Sequence, residues 1–177
     1  MTMIENGKGG GRYAEVNEKY QLAVDAVTRS NVHEAADDGS AWSIPLDATA
    51  PSGATFFFLF KNDGEKTYAI HRIRINSSAA GVFRFVRVTG TPSGGTTVVP
   101  TNMNLGVTKP QDTLTIQTGA SITGLTELSL LLPQYLVANT PLEINLEADI
   151  IVPPGTAFAL KAPGAATVNG TVLFYED

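Results

Sequence analysis

Five consecutive residues, Phe56-Phe57-Phe58-Leu59-Phe60, constrain this chain more than any other stretch. Successive side chains of a strand point to opposite faces, so a strand made of these residues is apolar on both faces at once. Such a strand needs two covers: the core of its own domain, and then a second sheet, an arm or another subunit. Asn62-Asp63-Gly64 follows as a turn signal, because Asp and Gly tolerate the backbone of tight hairpins. From Thr67 to Ile75 alternation returns, with His71, Ile73 and Ile75 on one face and Ile70, Arg72 and Arg74 on the other. The stretch reads as a β-hairpin.

Most of the chain beyond it has the same character. Val82, Arg84, Val86 and Val88 oppose Phe83, Phe85 and Arg87, and Thr113–Gln117 alternates as a half-exposed strand. Leu128, Leu130 and Leu132 fit a strand that Pro133 should end. The clearest alternation runs from Leu142 to Ile150, with Glu143, Asn145, Glu147 and Asp149 facing out. Pro153-Pro154-Gly155 then turns the chain into Thr156–Lys161, and Thr167–Tyr175 follows. Roughly ten strands, punctuated by Pro, Gly and Asn, predict an all-β antiparallel sandwich or barrel. One short helix is expected, with Asn31 at its N-cap, Glu34 completing a capping box and Gly39 stopping it. The organisation predicted is an extended N-terminal arm, residues 1–40, and a β-sandwich domain, residues 41–177.

Composition narrows the function classes. Only 16% of residues are charged against 43% hydrophobic, where soluble domains average roughly 25% charged. That shortage points to surface covered by partners, or to neutral polar surface supplied by Thr, Ser and Gly. A net charge of −5 argues against a nucleic-acid binder, whose footprint is basic. The absence of cysteine excludes disulfides and thiolate chemistry. No apolar run approaches the ~20 residues that span a bilayer, and the N-terminus carries no signal-peptide core, so no membrane partner is expected.

The inventory for catalysis is thin. His33 and His71 are the only histidines, and no GxSxG elbow accompanies them. Glu147 and Asp149 lie two apart on one strand face, ~6.7 Å between Cα atoms, within reach of a glycosidase-like pair. Ordinary alternation accounts for their positions just as well. Asp37-Asp38-Gly39-Ser40 lacks the spaced carboxylates of a calcium loop, and Gly7-Lys8-Gly9 lacks the remainder of a phosphate loop. Trp42 and Tyr135 read as core aromatics. Arg72, Arg74 and Arg84 read as one sheet face, either paired with Glu143, Glu147 and Asp149 or serving as a docking patch. No catalytic residue, metal or cofactor is expected.

Three stretches together resemble the small virion proteins of tailed bacteriophages. They are Ala14-Glu15-Val16 through Leu22–Val27 into Val32–Ile44, the pair Phe57–Asn62 and Tyr68–Ile73, and Ile151–Ala157 with Gly170–Glu176. The resemblance implies a jelly-roll-like sandwich that decorates capsids as a trimer, or belongs to the neck, tail or fibres. It implies a non-enzymatic cement protein on the capsid surface, assembled in the host cytoplasm. Its partners would be the major capsid protein and further copies of itself. On that reading Phe56, Phe58 and Phe60 form the subunit interface. Arg12, Tyr13, Val16, Tyr20 and Leu22, with Arg72 and Arg74, touch the capsid or a neighbour. The alternative is a tail, neck or fibre component that binds a receptor or carbohydrate.

Overall fold

A computed structural model describes the backbone of residues 4–5, 13–16, 22–23, 31–50, 55–107 and 112–177. The chain divides into two units, residues 1–30 and 31–177. In the first, Ile4–Glu5, Tyr13–Val16 and Leu22–Ala23 pair as a small antiparallel sheet.

The second unit is built from eight main strands: β1 (Ala41–Ala50), β2 (Phe56–Asn62), β3 (Tyr68–Ser77), β4 (Gly81–Ser93), β5 (Leu114–Leu136), β6 (Leu142–Val152), β7 (Ala157–Lys161) and β8 (Ala166–Glu176). Two antiparallel sheets result, in the orders β1-β8-β3-β6 and β2-β7-β4-β5. This interleaved order is that of a jelly roll. Two-residue strands extend the sheets, Thr101–Asn102 on β1 and Thr96–Thr97 on β5.

The expected hairpin does not form. β2 and β3 lie in opposite sheets, and Phe60 meets Tyr68 across the core with ring centroids 6.1 Å apart. The edges each would need are taken: β2 pairs with β5 and β7, β3 with β6 and β8. The turn residues instead make a bridge between sheets. Fully buried Asn62 donates from Nδ2 to the carbonyls of Lys66 (2.7 Å) and Val152 (2.9 Å), and its Oδ1 accepts from Gly64 N–H. The Asp112 carboxylate accepts from the backbone N–H groups of Glu65, Lys66 and Thr113, which holds its pKa below the usual carboxylate value.

The sandwich core is aromatic. Trp42 stacks on Phe174 at 5.5 Å, and Phe60 packs against Phe158 and Phe174. Alternation delivers these residues to the core except where bulges shift it. At His71 the pairing with β8 slips by one residue, so Ile70, Ile73 and Ile75 are all buried. Simple alternation would instead put Ile70 with Arg72 and Arg74 on the opposite face. β6 follows its expected alternation from Leu142 to Leu146, then slips register on β3 between Asn145 and Ile150.

The second sheet closes on itself. β5 pairs with β2 through Leu114–Thr118 and with β4 through Leu125–Leu136, so β2, β7, β4 and β5 form a ring. Pro133 does not end β5; it sits opposite Arg84, in a strand that runs on to Leu136. The crossing needs two facing glycines. Gly90 and Gly124 have φ of 118° and 76°, and a Cβ on Gly124 would lie 2.2 Å from the Thr91 carbonyl oxygen. Inside the ring, Leu59, Val86, Val88, Ile122, Ala157 and Ala159 make a second core.

Helix α1 (Asn31–Asp37) ends as the sequence predicts, with Gly39 at φ 71° and its N–H donated to Ala36 O. Ala35 packs with Ala41, Ala69 and Tyr175, so residues 31–40 belong to the sandwich and not to an arm.

Candidate interaction surface

The phenylalanines expected at a subunit interface are interior residues. Phe58 and Phe60 are 0% exposed and belong to the sandwich core. Phe56 is half-buried against the second core, with Lys161 Nζ 5.3 Å from its ring centre. An extra residue at Phe57 explains the arrangement. β7 pairs Leu160 with Phe58 but Lys161 with Phe56, which turns Phe57 into the sandwich core beside Phe83. Both faces of β2 are therefore covered by this chain's own strands, and the second cover inferred from the sequence is β5 rather than a neighbour.

Of the expected arm contacts, Arg12 and Tyr20 lie outside the described residues. Tyr13, Val16 and Leu22 have their backbones in the small N-terminal sheet, and their side chains are outside the described set. Arg72 and Arg74 project from the outer face of the first sheet. Each meets Glu143, at 3.4 and 3.7 Å, and the Arg74 side chain is 68% exposed. Arg84 is not on that face. It lies in the other sheet and pairs with Glu127 at 2.7 Å, while Lys161 reaches the same carboxylate at 3.2 Å. The arginines are cross-strand ion-pair partners, and the joint basic face does not exist.

No catalytic constellation gathers among the described side chains. His33 sits on the exposed helix 3.6 Å from Asp37, and half-buried His71 packs edge-on against Tyr175 at 6.5 Å. Among the described residues, no group of three His, Asp or Glu is placed to hold a metal ion. The side chains of Glu147 and Asp149 lie outside the described set. Trp42 is core, as read from the sequence. Tyr135 is not.

At 60% exposure Tyr135 belongs instead to an apolar surface along β5. Leu128, Leu130 and Leu131 lie on the same strand at 44–54% exposure, and Val82, directly opposite Tyr135 on β4, is 46% exposed. Two bulges produce this. Pairing with β4 skips Leu128 and again Leu131, so each leucine stands out of the ladder. Where β5 passes β6 the sandwich opens into a cavity of about 540 Å³, lined mainly by Leu131, Leu132, Leu146, Ile150, Ile151 and Phe158, with Arg87 the charged residue among the described ones. The legible signal was composition: no charged residue occurs from Leu128 to Leu142. Such a face and cleft suit apolar side-chain docking, with Arg87 able to orient an acidic group.

Compared with known protein-family models, curated proteins and solved structures, the chain gives no match.

Proposed function

We propose that this chain is a non-enzymatic structural protein of a tailed-bacteriophage virion, a decoration protein that binds the outer capsid lattice and stabilises it. The observation that carries the reading is the exposed apolar run along β5, from Leu128 to Tyr135, on a jelly-roll sandwich. Exposed apolar surface of that kind belongs to proteins that work in contact with others. The virion assignment comes from the resemblance drawn in the sequence, and the jelly-roll order of the sheets agrees with it. Its partners are the major capsid protein and other copies of the chain. A ligand that binds only the assembled shell stabilises it by RT ln(1 + [L]/Kd), some ~3–4 kcal/mol when well above Kd.

The test is to mix purified protein with undecorated capsids and image them. Saturable, symmetric density on the shell, with a raised capsid melting temperature, is the expected result. Capsids that stay bare at saturating protein overturn it.

A further inference from the structure

We infer that the apolar face along β5 is where copies of this chain meet, through Leu128, Leu130, Leu131 and Tyr135 of one copy against the same residues of another. This deepens the decoration reading by naming the self-contact, and rests on that reading only for its biological setting.

Three observations select a second copy as the occupant. The first is charge. The chain carries −5, yet the run from Leu128 to Leu142 carries no charge. A chain that repels its own copies at long range can approach them most closely through an uncharged face. Of the described charges that flank the run, Glu127 is paired with Arg84 and Lys161, and Arg87 lines the cavity, so a strongly basic partner would find little complementary charge there.

The second is area. At ordinary side-chain sizes, the exposures of Leu128, Leu130, Leu131, Tyr135, Val82 and Ile151 amount to roughly 500 Å² of apolar surface. That is at the upper end of what monomers leave uncovered and most of the ~800 Å² that each partner gives to a standard interface.

The third is the edge itself. Among the described residues, β5 beyond Thr123 pairs only with β4, so its other side is a sheet edge. Bulges at Leu128 and Leu131, with Pro133 following, blunt that edge against strand addition. Backbone pairing, the route to open-ended aggregation, is discouraged while apolar side chains are presented. The contact is therefore made by side chains and favours a closed assembly.

Sedimentation velocity across the micromolar range tests the inference, comparing wild type with Leu128→Asp/Leu131→Asp. The expected result is an oligomer whose apparent dissociation constant rises at least about thirtyfold in the variant. A wild type that stays monomeric, or a variant that still assembles, overturns it. Should the double variant fold poorly, a single cysteine decides the matter, since the chain has none of its own. Tyr135→Cys should cross-link into covalent dimers under mild oxidation, while Thr167→Cys on the exposed face of β8 should not. Equal cross-linking at both positions, or none at Tyr135→Cys, overturns the inference. None of these measurements involves a capsid, so self-contact and decoration fail independently.

Discussion

The two sheets enclose one aromatic core from opposite sides, yet they treat their outer faces differently. The β1-β8-β3-β6 sheet sends polar residues outward, with Asp47, Arg74, Glu143 and Asn169 exposed between buried or half-buried neighbours. The β2-β7-β4-β5 sheet buries its second face too, because β5 wraps from β2 to β4 and encloses Leu59, Val86, Val88 and Ala159. A strand apolar on both faces is thus a signature of sheet closure as much as of assembly. What distinguishes the two is whether one strand of the same chain is long enough to cross, and β5, at 23 residues, is.

That contrast can be broken at graded cost. The largest effect is expected at the shared core. Phe60→Ala removes a ring that packs against Tyr68, Phe158 and Phe174, and should cost about 3–5 kcal/mol in urea unfolding. A loss under about 1 kcal/mol would mean that Phe60 is not interior, and would restore it to a subunit seam.

Closure itself is tested by Gly124→Ala. The new Cβ would press on the Thr91 carbonyl at a φ that favours glycine, for a loss of about 2–3 kcal/mol. Opening the ring should also expose the second core to a hydrophobic dye. An unchanged midpoint and no dye binding would show that the crossing does not depend on this bend. The smallest effect belongs to the open face. Arg74→Ala removes a half-screened pair with Glu143 at 3.7 Å and should change stability by less than about 0.5 kcal/mol. A larger loss would mean that the outer face of the first sheet does more than meet solvent.

The same contrast explains what could be read in advance. Where a sheet has one wet face, the pattern was legible: Leu142, Ile144 and Leu146 turn inward and Glu143 and Asn145 outward. The all-β antiparallel class, the short helix and its glycine stop were legible too, while the jelly-roll order came from the resemblance. Bulges were not, because one inserted residue at Phe57, His71, Leu128 or Leu131 leaves no compositional mark yet reverses every face beyond it. Nor could Asn62-Asp63-Gly64 reveal its pairing. The same residues that close a hairpin also build a bridge between sheets, and the choice lies with Val152 and Asp112, distant in sequence. Tyr135 reads as core from the sequence because isolated aromatics in a sandwich usually are. Its place beyond two bulges, on a charge-free run, is what brings it to the surface.

The central position of β8 carries a consequence for how the protein is made. β8 lies between β1 and β3, so the first-formed strand of the sandwich finds its main partner only in residues 166–175. On the ribosome, Trp42, Ile44 and Leu46 emerge long before Phe174, Val172 and Gly170 can pair opposite them. Nearly the whole unit must be synthesised before either sheet is complete, and pairings so distant in sequence form slowly. During that interval the Phe56–Phe60 run is uncovered, and apolar surface exposed in this way is prone to aggregation.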